Sequence, residues 1–278
     1  MTLKPRDTSI LSFLRAQIVQ IPVIASLTYR QVFRRKSLFF LFSLLGFFLL
    51  GEWICTSEIG GEVQQGVSMW VYVLLSSLWI TAFIIMMASD LLREDWDSQA
   101  QTLWLSRPLG LGTYLAGKAI ALLSIIAIFL ISVFVIQVGS AFSRENSIPW
   151  EFIMYQSIMF FPYLFLLLLS FQITLKINQT FSVLASFILI IATAIIDYIV
   201  YSGTLAESKL ISEANKLVIL SAYWILPQLG SVFYHSNRLL EGTVNDPSSY
   251  GIFAILQVGL WILILKILLL WTNRRMEI

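Results

Sequence analysis

An all-α, polytopic membrane fold is predicted for this chain by three observations: an apolar composition, six segments of spanning length, and an uneven distribution of Lys and Arg between the loops. Hydrophobic residues make up 58% of the 278 positions and charged residues 12%, with a mean hydropathy of +0.82, as expected of a chain whose solvent is mostly lipid. A spanning helix needs about 20 mainly apolar residues to cross ~30 Å of hydrocarbon. The stretches that suit this are 38–54, 67–88, 115–138, 152–173, 181–201 and 250–271, so residues 1–278 read as one membrane domain with six transmembrane helices.

Basic residues set the orientation, because loops rich in Lys and Arg stay on the cytoplasmic side. With six spans both termini share a side. Taking that side as cytoplasmic gives it thirteen of the 18 basic residues and leaves four outside, Arg144, Lys209, Lys216 and Arg238. Lys266 lies inside the last span, near enough to its cytoplasmic end to snorkel. The net charge of +2 is small and its cationic part sits at the membrane face, so nucleic acid is not an expected partner.

Residues 1–36 form the first element, expected to be retained rather than cleaved as a signal peptide, since Arg15 interrupts the apolar region and no clean small-x-small site follows. Ile10, Leu11, Leu14, Ile18 and Ile21 share one arc at 100° per residue, the pattern of a helix lying in the interface. Pro22 is expected to bend it, and the run from Phe33 to Lys36 to stop the first span. The outer loops 52–66 and 139–151 are acidic and Gly-containing, suited to solvated connections. Cys55 is the one cysteine and cannot form an internal disulfide.

Between spans two and three lies a polar, amphipathic segment, 89–114. Leu92, Trp96, Ala100, Leu103 and Trp104 occupy about 120° of a helical wheel, while Arg93, Glu94, Asp97, Ser98 and Gln101 fall outside it. Pro108, Gly110 and Gly112 end this helix and return the chain to the membrane. Two readings fit: a solvated connection, or a lever working at the membrane surface.

The stretch 202–249 contains an apolar run, 217–234, with Pro227, Gln228 and Gly230 at its centre. A lipid-exposed helix broken there would leave backbone groups unpaired, and a seventh span would place Arg274 and Arg275 outside. An outer re-entrant or interfacial helix pair is therefore expected, preceded by an amphipathic helix from about Leu205 with Glu207, Lys209, Glu213 and Lys216 on its wet side.

Residues 102–118, TLWLSRPLGLGTYLAGK, carry a resemblance. With the acidic helix before them they resemble the cytoplasmic loop of permeases of the type-2 ABC exporter family, through Glu94, Thr102, Leu103, Ser106, Pro108, Gly117 and Lys118. The chain departs from the family pattern at Gln101, where Gly is frequent, and at Gly110 and Leu111, where a basic residue often follows the Pro. The resemblance extends in weaker form to the N-terminal helix, the even topology and the Pro-containing pair. It implies that this loop is a coupling helix docking on a separate ABC ATPase, with Arg93, Glu94, Asp97, Ser98, Gln101, Thr102, Arg107 and Pro108 as the coupling residues. It also implies a bacterial plasma (inner) membrane location.

Residues 112–118, GTYLAGK, formally fit a phosphate-binding loop, but Ala119 stands where Ser or Thr would hold magnesium. No strand precedes the loop, and it runs into a membrane span. ATP and magnesium are therefore expected on the partner ATPase, with no cofactor in this chain. Two copies, or one copy and a similar permease, would then surround a path while ATPase closure pushes the helix over 91–104.

Polar residues within spans are the usual markers of a path. The candidates are Asp197 in span five, Gln137 at the end of span three and Gln172 at the end of span four. Asp197 reads equally as an interface residue or a helix partner. A shortage of ionisable groups argues against an ion pump and favours a hydrophobic or amphiphilic cargo. Two other functions remain open: a non-transporting ABC membrane subunit that passes ATPase motion to an outer partner, and a membrane-embedded lipid-modifying enzyme. The latter would need convergent acid and base groups, whereas the chain has one His, His235, and no paired carboxylates in its spans.

Overall fold

The structure, a computed structural model, describes residues 10–36, a few positions between 38 and 46, and residues 65–97, 111–145, 150–201, 212–240 and 249–276. Among these residues the fold is all-helical, without strands. In chain order the helices are α1 (Ile10–Phe33), α2 (Gln65–Asp97), α3 (Leu111–Glu145), α4 (Trp150–Thr174), α5 (Gln179–Tyr201), α6 (Glu213–Ile225), α7 (Leu229–Leu240) and α8 (Ser249–Met276).

Among the described residues four stretches are long and apolar enough to cross a membrane, Gly112–Val135, Ile153–Thr174, Gln179–Val200 and Gly251–Leu269, and a fifth if α6 and α7 count as one bent span. They fall close to the expected spans three to six. The expected span over 38–54 lies mostly outside the described residues, and that over 67–88 falls within α2.

Helix α4 is the axis of the bundle, packing against α2, α3, α5, α7 and α8. Its span is 61% buried, against 17% for the α5 span and 22% for the α8 span, so the last two sit at the periphery. Tyr155, Met159, Tyr163, Phe165, Leu166 and Phe171 of α4 form the centre of the core. Around them a spacing of three or four residues places one face of each neighbouring helix inward.

One expectation changes. The polar helix over 91–104 is not a separate element at its start: α2 runs 33 residues without a break to Asp97. At 1.5 Å per residue this is about 50 Å, longer than the ~30 Å of hydrocarbon, and the apolar stretch and its polar continuation form one helix. Helix α1 runs through Pro22, whose side chain is exposed.

Helix α1 packs most extensively on α3. Its buried face is Ile24, Ala25, Thr28 and Val32, further along the helix than the arc read from the sequence, of which Ile18 is 65% exposed. The contact is close because of Gly117 on α3. A Cβ there would stand 2.7 Å from both Cβ and Cγ2 of Ile24 and 3.2 Å from the Ile21 carbonyl oxygen. Tyr29 and Ser124 add a hydroxyl–hydroxyl bond across the same interface.

Because Ile24 Cβ is fixed to its backbone, Gly117→Ala is expected to push α1 off α3 and to cost about 1–3 kcal/mol. Thermal unfolding in detergent measures this, and Ile24→Ala in the same chain should recover part of the loss.

Candidate functional site

Among the described residues a cluster of polar groups gathers where α2 ends and α3 begins, on either side of residues 98–110. The face of α2 that packs inward carries Ala88, Leu91, Leu92 and then Asp95, all buried. A carboxylate placed there by helical periodicity needs partners, since an unpaired buried charge costs several kcal/mol. Three neighbours supply them. Lys118 Nζ of α3 stands 2.7 Å from Asp95 Oδ2, the Tyr114 hydroxyl, one turn earlier on α3, donates to the same oxygen, and Gln31 Nε2 of α1 donates to Oδ1 at 3.2 Å.

Lys118 is itself 1% exposed. It also donates to the Leu91 carbonyl at 2.6 Å, and its ammonium lies 5.1 Å from the centroid of the Tyr114 ring, within cation–π range. The arrangement joins α2 to α3 across the roots of the loop.

A second, wetter layer joins α1. Arg35, just after α1, bridges Asp90 and Glu94, one turn apart on α2. Burial lowers the proton affinity of its guanidinium and the charge of Asp95 opposes that shift; a guanidinium remains a cation under either influence. Gln179 at the start of α5 donates to Asp90 at 3.2 Å. Beside it Thr174 of α4 bonds Ser182 of α5 at 2.7 Å and Ser89 of α2 at 3.1 Å. Five helices are therefore tied together at this one end.

Of the expected coupling residues, Glu94 is exposed and engaged by Arg35, and Arg93 is half-buried. Asp97 is the last residue of α2. Ser98, Gln101, Thr102, Arg107 and Pro108 lie outside the described residues. The Gly117–Lys118 pair that ends the motif has a structural explanation: the glycine admits α1 and the lysine holds Asp95.

The expected path residues are not brought together. Gln172 is buried near the clamped end of α4, whereas Asp197 lies 18 residues into α5 from Gln179, about 27 Å along the helix. Gln137 lies toward the far end of α3, its side chain outside the described part. Asp197 acts as a cap: its carboxylate accepts the Ser231 N–H of α7 at 2.9 Å, with the Gly230 N–H alongside. A helix N-terminus favours a carboxylate through its free N–H groups and its dipole. Gly230 permits the approach, since a Cβ there would be 2.9 Å from Asp197 Oδ2 and 3.2 Å from Ala194 Cα.

The break at Pro227 is present, with α6 and α7 meeting at 75°. Carbonyls at the end of α6 find donors on α8: Gln257 Nε2 reaches the Trp224 oxygen at 2.7 Å and the Leu226 oxygen at 3.0 Å, and Trp261 Nε1 reaches the Ile225 oxygen at 3.0 Å. At the other end of α6, Ser212 caps the helix by accepting from the Asn215 N–H. Residues 202–211, which carry Glu207 and Lys209 of the expected amphipathic helix, lie outside the described part.

Sequence reading missed Asp95, Gln31 and Tyr114, and missed Gln257 and Trp261 as partners of the break. A signal for the first group exists: Asp95 continues the apolar face of Leu91 and Leu92, and Lys118 is the basic residue at the start of the next span. Among the described residues no group of three or more His, Cys, Asp or Glu is placed to hold a metal.

Asp95→Leu or Lys118→Met alone is expected to cost about 3–5 kcal/mol by leaving the other charge buried and unpaired, whereas the double variant should regain most of it. A double-mutant cycle on unfolding in detergent reads the coupling, and simple additivity would refute the clamp. At the break, Gln257→Leu should cost about 1–3 kcal/mol and increase protease cleavage near 225–228.

No family model, curated protein or solved structure matches this chain.

Proposed function

We propose that this chain is the membrane-spanning permease subunit of an ATP-driven ABC exporter, with the 98–110 loop and the end of α2 as its coupling element. The observation that carries the reading is the Asp95–Lys118–Tyr114 clamp. A connecting loop has no need of a buried ion pair at its roots, and a lever does. Force applied to the loop by an ATPase would enter α2 and α3 together, and Arg35 and Gln31 would carry it into α1.

In this scheme two copies, or one copy and a similar permease, stand over two ATPase subunits that hold ATP and magnesium. Closure of the ATPases biases the membrane helices toward an outward-open arrangement, as any ligand does that binds one state better than another. The clamped end, which carries Arg30, Arg34, Arg35, Lys36, Arg93 and Lys176, faces the cytoplasm by the positive-inside rule. The outer pair α6–α7 then lies on the opposite side, and the location is a bacterial inner membrane with both termini cytoplasmic.

The cargo is hydrophobic or amphiphilic. Lys118 and Asp197, buried in the candidate spans, are committed to Asp95 and to the α7 N-terminus. An ion or proton relay would need ionisable groups available for exchange.

The test is purification of the tagged chain from its native cells in detergent, beside Glu94→Ala and Arg107→Ala. An ABC ATPase should co-purify with the wild type, and each substitution should weaken its retention about tenfold, corresponding to ~1.4 kcal/mol at an interface. A preparation without any ATPase would overturn the proposal.

A further inference from the structure

Helix α5 turns its polar side to the protein. Among residues 179–200 the buried side chains are Ser182, Ser186, Thr193 and Asp197, which share an arc of about 60° and run about 22 Å along the helix. The opposite side carries Phe181, Leu184, Ile188, Ile191 and Ile195, each more than half exposed.

The seam that this polar arc makes with α4 is continued by hydroxyls of α4. Thr174 bonds Ser182 at 2.7 Å, and the two helices run antiparallel from the turn between them. One helical turn further into the membrane, Ser170 of α4 therefore stands level with Ser186 of α5. Bonds to neighbouring helices fasten α5 through Gln179 and Ser182 at one end and Asp197 at the other. Between these fasteners Ser186 and Thr193 donate to carbonyls of their own helix, those of Ser182 and Ile190, each at 2.9 Å, and their oxygens keep lone pairs for an incoming donor. Ser170 in the seam and Ser231 at its outer end are buried, and their hydroxyl oxygens have no hydrogen-bond partner among the described residues. Such hydroxyls carry a desolvation cost that a ligand can offset. A cleft of about 260 Å³, beside Leu92 and the turn over 174–178, reaches Thr174 at the inner end of the seam.

Charge narrows what the seam can hold. Neither α4 nor α5 carries Lys or Arg, so a phosphate there would lack a counter-ion. The buried carboxylate of α5, Asp197, is committed to the α7 N-terminus. What the seam offers is acceptor oxygens with the Ser170 and Ser231 hydroxyls, which suits a neutral group rich in O–H donors.

We propose that the seam between α4 and α5 is a binding groove for an uncharged, hydroxyl-bearing lipid headgroup, whose acyl chains stay in the bilayer along the Leu184–Ile195 face of α5. The headgroup enters as the middle of α5 parts from α4, while the fasteners at its two ends hold. This rests on the amphiphilic cargo inferred above and names the chemistry of its polar half.

The test uses the full chain in neutral detergent, without ATPase, with monoglucosyldiacylglycerol, diacylglycerol or phosphatidylcholine added in turn and read by native mass spectrometry. The glycolipid should be retained well above the other two. Ser170→Ala with Ser186→Ala removes two hydrogen-bonding groups and should lower that retention about tenfold. Ser132→Ala with Ser157→Ala, exposed serines that bond their own helices, should leave it unchanged. Equal retention of diacylglycerol would overturn the headgroup site, and equal retention of phosphatidylcholine would overturn the neutral, hydroxyl-bearing class. An equal loss in the Ser132 and Ser157 control would place binding outside the seam and overturn the groove. These readings need no ATPase, so a groove that fails here leaves the co-purification result standing, and an exporter reading that fails there leaves the measured retention standing.

Discussion

The buried ion pair between Asp95 and Lys118 is the constraint around which this chain is arranged. Removing two charges from water is expensive, and their attraction offsets that cost only when the geometry is good and the remaining lone pairs and protons find partners. Asp95 has Tyr114 and Gln31 in addition to the lysine, and Lys118 has the Leu91 carbonyl and the Tyr114 ring. A pair so completely satisfied contributes register more than net stability. It fixes the axial position of α2 against α3, and Gln31 with Arg35 then fixes α1 against both.

The far end of the bundle obeys the same rule with different groups. A helix broken at 75° leaves carbonyls that hydrocarbon cannot solvate, and α8 meets them with Gln257 and Trp261. The new helix start leaves N–H groups, and α5 meets them with Asp197. At both ends these polar groups find their partners on adjacent helices, and α4 packs against helices of both ends. The clamp and the break are distinct units about a bilayer apart, connected by a core of Tyr, Phe and Leu.

What the sequence discloses and what it conceals follow from the kind of signal involved. Spans three to six are legible because a run of twenty apolar residues has few other physical uses. The break at Pro227 is legible because proline removes a donor that lipid cannot replace. Asp95 is not legible from composition or motif, since in a stretch containing Arg93, Glu94 and Asp97 it reads as one more solvated charge. Only its angular position beside Leu91 and Leu92 sets it apart. Asp197 stands out as a carboxylate in an apolar segment, but its partner is a backbone N–H 34 residues away, and nothing in local spacing points to it. Gln257 is hidden for the same reason, a lone amide in a span whose target is another helix's carbonyls.

The dependence of the α6–α7 break on α8 imposes an order on biosynthesis. Residues 213–240 leave the ribosome before Gln257 and Trp261 have been made, so the carbonyls of Trp224, Ile225 and Leu226 have no donor on α8 at that stage. Water must serve them in the interval. A chain truncated before Gln257 would leave these three carbonyls without their α8 donors, to be served by water or not at all.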